Sequence, residues 1–347
     1  MAAGHNERSN AAGALRVGLV AGDEHLPRLA DAVASAGGIE LVAQGGMPRQ
    51  AALEGVAWFD DLRQLAAQAE VEALLVAASP RVVARLAETI AAEGKPLWQL
   101  PPLGRGFAEA LETAGQLRSA EVSHQVASWW SYQRRVVLEA IELDAGLRPL
   151  FSEVHVSAPG PEVTSWRAAE SQAGGGVLAQ DAYASLEALT GLRGMPESVF
   201  GVIGSCRRPS AAPPRETEGV AVVTMRYEDG GIAVVRAAWD IPPFGHHTIH
   251  HGRSASLHYT PAELLIRDAD GEITDRQTLD EDVLAADLRY FAARLRGGQP
   301  AESPEVAIRR HLMVSAILET AYLSSRTQQP EDPRRLFEVQ KWPSAGR

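Results

Sequence analysis

Cysteine is almost absent from the sequence: Cys206 is the single one among 347 residues. One thiol cannot form a disulfide within the chain, and it cannot supply a cluster of thiolate metal ligands. Proteins that depend on disulfides are mostly secreted, because thiols stay reduced inside the cell. We therefore expect a cytoplasmic protein without a structural thiolate site.

Long apolar runs and an excess of positive charge are missing as well. No run approaches the roughly 20 apolar residues of a membrane-spanning helix. Lys and Arg number 33 against 44 Asp and Glu, which gives a net charge of −11. Nucleic-acid-binding domains carry a basic face, so neither nucleic acid nor a membrane is expected as a partner. Residues 1–14 have no apolar signal-peptide core and are predicted to be a disordered leader.

The first part of the chain alternates between two patterns. A chain of 347 residues exceeds the usual size of one hydrophobic core, so we expect two domains. Short β-rich runs alternate with helical segments from residue 15 to residue 150. The predicted strands are 15–21, 39–43, 71–77, 96–100 and 122–127, and the predicted helices are 25–36, 61–69, 81–93 and 107–119. This α/β alternation predicts a doubly wound parallel sheet in residues 15–150.

After residue 150 strands follow one another with turn signals between them. The predicted strands are 151–157, 199–205, 219–227, 231–238, 247–251, 255–259 and 262–267, and helices follow at 281–295 and 304–325. Adjacent Gly230 and Gly231 accept the positive φ of a tight hairpin turn. Residues 151–330 are thus predicted to form an α+β domain with an open, mostly antiparallel sheet. Residues 331–347 are predicted to be a tail that returns to the first domain.

Several strings resemble the Gfo/Idh/MocA family when they are taken in order along the chain. The strings are His25-Leu-Pro-Arg-Leu-Ala30, Glu40-Leu-Val-Ala43, Glu93-Gly-Lys-Pro-Leu97, Trp166-Arg167 followed by Gly174-Gly-Gly176, and Ala321-Tyr-Leu-Ser324. The resemblance implies a Rossmann-like N-terminal domain, a C-terminal α/β domain, and nicotinamide-dependent oxidation of sugars or cyclitols. It covers nearly the whole chain, and the departures from it bear on function.

The first departure concerns the phosphate loop between the first strand and helix. A dinucleotide site needs glycines there, so that backbone N–H groups can approach the pyrophosphate. The family shows Gly-x-Gly-x-x-Gly, whereas this chain runs from Gly18 in the strand to a lone Gly22 and then to Asp23 and Glu24. Gly18 and Gly22 are interpreted as vestiges of the cofactor site. A non-standard turn that still binds phosphate is the alternative.

The second departure concerns the ribose of the dinucleotide. An Asp or Glu at the end of the second strand normally binds the adenosine ribose hydroxyls. Here that strand ends at Ala43-Gln44-Gly45, with no acid. Arg49 follows nearby and could meet a 2′-phosphate, which would favour NADP, although a surface arginine in a short loop is the simpler interpretation.

The third departure removes the catalytic groups that the resemblance implies. Leu100 and Pro101 stand at the glutamate and lysine of the family's Glu-Lys-Pro motif. The family's aspartate and histidine follow the triple glycine by four and eight residues, and here those positions are Gln180 and Ala184. Shifting the register by one residue gives Asp181 and Ser185, which still supplies no base. General acid–base catalysis of hydride transfer is not expected from these residues.

Other polar residues could serve a ligand in the same pocket. Arg167, Gln180, Tyr183 and His124 are the candidates, and they suit a small sugar-like or carboxylate ligand. The cluster from His246 to His251 suggests a metal site, but His246 and His250 would lie roughly 13 Å apart along a strand. We therefore predict no metal and interpret these histidines as solvated or interfacial.

The leading hypothesis is a pseudo-oxidoreductase: a non-catalytic ligand-binding, regulatory or partner subunit that needs no cofactor. One alternative is an active NAD(P)-dependent sugar or cyclitol oxidoreductase with an atypical site. Another is a non-redox lyase, isomerase or hydrolase with Tyr183 or His124 as acid or base. Family dimers form through the open sheet, so the resemblance implies a homo-oligomer or a complex with an active paralogue.

Overall fold

The computed structural model describes residues 13–22, 25–205, 214–279, 282–299 and 302–340. Nearly all of the predicted leader, with Asp23, Glu24 and the last seven residues, lies outside these ranges. Among the described helices, none combines the length and the apolar character needed to cross a membrane.

The first domain contains a six-stranded parallel sheet with helices on both faces. Its elements are β1 (Leu15–Ala21), α1 (Leu26–Ala36), β2 (Ile39–Gly45), β3 (Ala57–Phe59), α2 (Leu62–Ala66), β4 (Ala73–Ala77), α3 (Pro80–Glu93), β5 (Leu97–Gln99), α4 (Phe107–Ser119) and β6 (His124–Val126). The strand order is β3-β2-β1-β4-β5-β6. β1 and β4 are neighbours, so the chain reverses its winding between them and leaves a crevice at their carboxyl ends. The predicted Rossmann-like sheet is confirmed.

The second domain contains an eight-stranded sheet that is antiparallel except for one pair. Its elements follow the connecting helix α5 (Trp129–Leu143) and are β7 (Phe151–Ala158), α6 (Glu170–Ala173), α7 (Val177–Gln180), α8 (Tyr183–Arg193), β8 (Ser198–Gly204), β9 (Val220–Arg226), β10 (Ile232–Trp239), β11 (Gly245–His251), β12 (Ala255–Tyr259), β13 (Glu263–Asp268) and β14 (Ile273–Thr278). The strand order is β14-β13-β12-β11-β7-β10-β9-β8, and only β7 and β10 pair in parallel. The predicted open, mostly antiparallel sheet is therefore confirmed.

One helix requires a correction to the predicted domain boundary. α9 (Val283–Leu295) follows the second sheet in sequence, and residues 151–330 were assigned to the second domain. Its buried side chains Leu288 and Phe291 pack instead in the core that contains Leu19 of β1 and Leu29 of α1. An apolar face on α9 covers the parallel sheet, and this long-range contact has no signal in the local pattern.

The last two helices join the domains. α10 (Pro304–Thr327) packs on β8 and α8, and its Leu312 and Ala316 also enter a core with Phe107 of α4. α11 (Arg334–Gln340) follows, and its Phe337 ring lies 4.8 Å from the ring of Phe107. The described part of the tail therefore contacts the first domain. The two domains enclose a cleft, and the start of α9 contributes Val283 and Leu284 to its lining.

Several elements were missed by the sequence-based prediction. They are β3, α5, the short helices α6 and α7, the longer helix α8, β14 and α11. All six residues of β14 are exposed, so the strand has no apolar alternation to reveal it. α6 and α7 have four residues each, which is too short for a helical period to stand out.

Candidate functional site

A cavity of about 530 Å³ lies between the two domains. The first domain contributes the turn between β1 and α1 and the segment after β5. The second domain contributes the short 3₁₀ turn Trp166–Ala168, the helices α7 and α8, and the strands β11 and β12. Its volume is typical of a pocket that binds one small organic molecule.

The turn between β1 and α1 faces an indole from the second domain. Gly22 begins this turn, and its carbonyl accepts hydrogen bonds from the N–H groups of His25 and Leu26. A Cβ added at Gly22 would lie 3.5 Å from Nε1 of Trp166. The ring centroids of His25 and Trp166 are 6.0 Å apart. Trp166 thus covers the backbone that a pyrophosphate would have to approach.

Gly18 does not face the cleft. A Cβ at Gly18 would lie 2.7 Å from a methyl of Leu65 and 3.1 Å from side-chain atoms of Val71 and Leu74. The glycine therefore lets β1 and α2 pack closely. The interpretation of Gly18 as a vestige of the cofactor site is wrong, because a side chain at this position would enter the core beside the sheet and would not reach the cleft.

Gln44 stands near the end of β2, where a dinucleotide site would have a ribose-binding acid, and it bonds to the following loop. Gln44 is fully buried; its Nε2 donates to the carbonyls of Leu53 and Val56, and its Oε1 accepts from the N–H of Leu53 at 2.7 Å. The guanidinium of Arg49 lies 5.7 Å from the centre of the Trp58 ring. Arg49 is not among the residues that line the cleft.

The positions that the family uses for catalysis do line the cleft. Leu100 and Pro101 lie on its first-domain wall, while Ala184 and Ser185 lie on α8 opposite. A leucine, a proline and an alanine have no side-chain group that could transfer a proton, and a serine hydroxyl is not basic at neutral pH. The structure thus brings these positions together without a base.

Arg167 is the centre of a polar network on the second-domain wall. Its Nε donates to Oε1 of Gln180 at 2.5 Å, and its Nη2 donates to Oδ2 of Asp181 at 2.7 Å. The same carboxylate oxygen accepts from Nε1 of Trp239 at 2.6 Å. The Arg167 guanidinium lies 5.8 Å from the centre of the Trp239 ring. Arg167 and Gln180 therefore lie in the cleft as predicted, and Asp181 joins them.

Tyr183 lines the cleft but directs its hydroxyl into the protein. Its phenol oxygen lies 3.1 Å from Nδ1 of His311, and the two rings stack at 5.8 Å. Burial raises the pKa of the Tyr183 phenol well above its usual value, and the charge of Glu187 raises it further. An acid or base in this position would have to exchange its proton with a buried histidine, whose own pKa is held well below its usual value by burial.

A buried ion pair lies behind Tyr183. Nε of Arg310 donates to Oε1 of Glu187 at 3.1 Å, and Nη1 of Arg310 donates to Glu302 at 2.6 Å. The hydroxyl of Ser128 donates to the same Glu187 oxygen. Burial raises the pKa of the Glu187 carboxyl to about 7, although Arg310 and Ser128 oppose that shift. This network joins α8, α10 and the chain after β6, so it fixes the cleft floor.

His124 was a predicted pocket residue, and this prediction is wrong. His124 is not among the lining residues; its Nε2 lies 2.9 Å from Oε1 of Gln99 on the neighbouring strand. Burial lowers the pKa of the His124 imidazole to about 3, and the charge of Arg294 lowers it further. The side chain is a buried neutral polar group of the first sheet and takes no part in the cleft.

The histidine cluster of β11 is divided by the pleat of the strand. His246, Thr248 and His250 line the cleft, and His247 also contributes to its lining although its ring lies 5.0 Å from that of His155. The His251 ring lies 5.8 Å from that of Phe151, and His251 is not among the lining residues. Alternation of side chains along a strand sets His246 and His250 apart from His251. Within the described ranges, no three His, Cys, Asp or Glu side chains are grouped so that they could hold a metal ion.

The residues present do not fit a nicotinamide dinucleotide in the usual way. Trp166 covers Gly22, and the Gln44 side chain bonds to the loop that follows its own strand. Leu100 and Pro101 stand where the resemblance places a glutamate and a lysine. Asp23 and Glu24, which the sequence places in the phosphate loop, lie outside the described residues. No reaction step through a nicotinamide is derived from this geometry.

Comparison with known proteins supports the resemblance. Residues 148–258 match the family model of the GFO/IDH/MocA C-terminal domain. The protein carries a Gfo/Idh/MocA C-terminal domain. This domain holds Arg167, Gln180 and Tyr183, and thus most of the polar cleft wall. A search of the curated proteins found no match.

Solved structures share the two-domain fold. Levoglucosan dehydrogenase in complex with NADH and levoglucosan is 19% identical, with a TM-score of 0.75 over 92% of this chain and 99% of that one. The WlbA dehydrogenase from Bordetella pertussis, in complex with NADH and UDP-GlcNAcA, is 19% identical, with a TM-score of 0.74 over 92% and 98%. An NAD-binding oxidoreductase from Klebsiella pneumoniae is 17% identical, with a TM-score of 0.73 over 92% and 99%. At these identities the likeness concerns the fold.

The functional residues that sequence reasoning missed are mainly aromatic. Trp166 was recognised only as part of a Trp-Arg string, and its contact with Gly22 joins residues 144 positions apart. Trp239 lies at the end of a strand and gave no signal of its bond to Asp181. The doubled histidines of β11 were a visible signal, but the pattern alone could not say which of them face the cleft.

The buried His124 predicts a stability that depends on pH. Its folded-state pKa of about 3 lies below the usual value of 6.5, so the unfolded chain binds more protons between these values and stability falls as pH falls through that range. Between pH 6.5 and pH 5 this group lowers the free energy of unfolding by about 2 kcal/mol. His124→Gln, which can keep a bond to Gln99, removes that loss.

Urea denaturation of the wild type and the variant at several pH values measures the difference. Buried groups common to both proteins, such as Glu187 and His250, cancel in the comparison. His247→Gln, at an exposed position, is the matched control and is expected to follow the wild type. If the free energy of unfolding depends on pH in the same way in the wild type and in His124→Gln, the assignment of a lowered pKa to His124 is contradicted.

Proposed function

We propose that this protein is a cytoplasmic, ligand-binding pseudo-oxidoreductase, which keeps the interdomain cleft of its fold and does not carry out nicotinamide-dependent hydride transfer. One observation carries the proposal: the indole of Trp166 lies against Gly22, the glycine of the turn where a pyrophosphate would bind. A dinucleotide would have to displace this ring before its phosphates reached the backbone N–H groups.

The opposite end of the cleft supports the same conclusion. Leu100, Pro101 and Ala184 line it at the positions where a working member needs a charged group or a base. Loss of the cofactor contact and loss of the proton-transfer groups are separate changes, in different segments of the chain. Both remove the same activity, while the cavity of about 530 Å³ is retained.

An NAD(P)-dependent oxidoreductase with an atypical site is the second candidate. The structures of levoglucosan dehydrogenase and of the WlbA dehydrogenase contain NADH. In this chain Nε1 of Trp166 is buried and has no hydrogen-bond partner among the described residues, so a phosphate oxygen could accept from it. A non-redox enzyme finds less support, because the Tyr183 hydroxyl is engaged by His311 and His124 lies outside the cleft.

A titration with NADH and with NADPH separates the two candidates. The chain has seven tryptophans, so bound reduced nicotinamide would quench their fluorescence by energy transfer. We expect no saturable binding up to about 1 mM, with levoglucosan dehydrogenase as the positive control in the same assay. Saturation in the micromolar range would contradict the pseudo-oxidoreductase and favour the active enzyme.

The partner we propose is a second copy of this chain on the open face of the eight-stranded sheet. α8 and α10 cover the other face. The open face carries Val202, Val222 and Ile232, which are 57%, 38% and 44% exposed. Val202 and Val222 are paired on the neighbouring strands β8 and β9, and apolar neighbours of this kind are typical of a covered surface. An active paralogue could occupy the same face, as the alternative.

Light scattering coupled to size-exclusion chromatography tests this partner. The wild type is expected at twice its chain mass of 37.1 kDa. Val222→Arg places a charge beside Val202 on this face and is expected to give the monomer, because a buried unpaired charge is costly. Val339→Arg, at a 76% exposed position on α11, is the control and is expected to remain dimeric. A monomeric wild type would speak against self-association.

A further inference from the structure

Two polar side chains of the cleft wall, Gln180 and Asp181, are already bonded to other protein groups. Gln180 accepts from Nε of Arg167, and its Nε2 donates to the carbonyls of Arg167 at 3.0 Å and Gly175 at 2.6 Å. Oδ2 of Asp181 accepts from both Arg167 and Trp239. Oε1 of Gln180 and Oδ2 of Asp181 are therefore already engaged as acceptors by the protein itself.

Two hydrogen-bond donors on the same wall, Nε1 of Trp166 and Nη1 of Arg167, have no acceptor among the described residues. Nε1 of Trp166 is buried without a partner among the described residues. The hydrogen bonds of Arg167 within the described chain use its Nε and Nη2, and none of them uses Nη1. A buried donor left without an acceptor costs about 1–3 kcal/mol, so an oxygen acceptor here would be stabilised. The two donor groups belong to consecutive residues and both line the cleft.

The charge of the described lining residues suits a monoanion. Arg28 and Arg167 are the cations and Asp181 is the one acid, so the formal charge is +1 when the histidines are neutral. This balance contrasts with the net charge of −11 on the whole chain. A single carboxylate would neutralise the formal charge of the lining, whereas a phosphate dianion would leave a net negative charge in the cleft.

One part of the cavity wall is apolar. Trp130, Val137 and Leu257 are buried and line its deep end. On α8 the small side chains of Ala184 and Ala188, one helical turn apart, line the cavity together with Ser185 and leave room for a ligand. A ligand with a flat or aliphatic body would fill this end and remove its apolar surface from water.

We propose that the cleft binds a small monocarboxylate with an apolar body, whose carboxylate oxygens accept from Nε1 of Trp166 and Nη1 of Arg167. The apolar body lies toward Trp130 and Leu257, with Arg28 near the entrance. The inference rests on the proposed function of the same cleft, and it names the class of ligand.

Isothermal titration calorimetry of the full chain tests the ligand class with matched probes. The probes are phenylacetate, its neutral counterpart 2-phenylethanol, D-glucose and inorganic phosphate. Phenylacetate is expected to bind at least about tenfold more tightly than each of the others. Equal or tighter binding of 2-phenylethanol, glucose or phosphate would overturn the assignment. No binding of phenylacetate up to about 10 mM would overturn it as well.

Two variants test the donor assignment. Trp166→Phe keeps a ring against Gly22 and removes the N–H group, so phenylacetate affinity is expected to fall about tenfold. Trp58→Phe is the matched control, because Nε1 of Trp58 bonds to the Met47 carbonyl outside the cleft, and its affinity is expected to equal that of the wild type. Unchanged affinity in Trp166→Phe would contradict the proposal.

The exposed Arg28 allows a further variant with little risk to folding. Arg28→Gln is expected to weaken phenylacetate binding and to leave the weak binding of 2-phenylethanol unchanged, because only the anion loses attraction. An equal loss of affinity for phenylacetate and for 2-phenylethanol would contradict the electrostatic role of Arg28. The NADH titration is independent of these outcomes: NADH binding would refute the proposed function, and failure of phenylacetate alone would refute only the ligand class.

Discussion

The packing of the Trp166 indole over Gly22 is the contact on which the properties of the cleft depend. A parallel doubly wound sheet presents the turn after β1 as a binding site for phosphates, because the backbone N–H groups and the start of α1 point outward there. The indole, which is supplied by the second domain, covers this turn. The space further from Gly22 remains open, so the cleft can still hold a molecule smaller than a dinucleotide.

The rest of the cleft wall is held in place by polar networks within the protein. Arg167 is fixed by Gln180 and Asp181, and Asp181 is fixed by Trp239. Behind them the buried Glu187–Arg310 pair joins α8 to α10. Breaking such a buried pair by removing one partner is costly, so these residues hold the geometry of the cleft. Nε1 of Trp166 is a buried donor on this wall without a partner among the described residues, which is why we expect the ligand to bring an acceptor.

Much of the fold could be predicted from the sequence, because it depends on local periodicity. The fully buried run of β4 and the alternation in β10 predicted strands that the structure contains. The site was harder to predict. Leu100, Pro101 and Ala184 are local substitutions in a recognisable pattern, whereas the Trp166–Gly22 contact and the exclusion of His124 from the cleft depend on how the domains pack. The same reason explains why α9 was assigned to the wrong domain.

A crystal structure of the protein grown with NADH at millimolar concentration tests the central claim most directly. We predict that the indole of Trp166 remains in contact with Gly22 and that no dinucleotide lies along the turn between β1 and α1. A dinucleotide on that turn, with Trp166 displaced and its Nε1 bonded to a phosphate oxygen, would contradict the account and identify an active cofactor site.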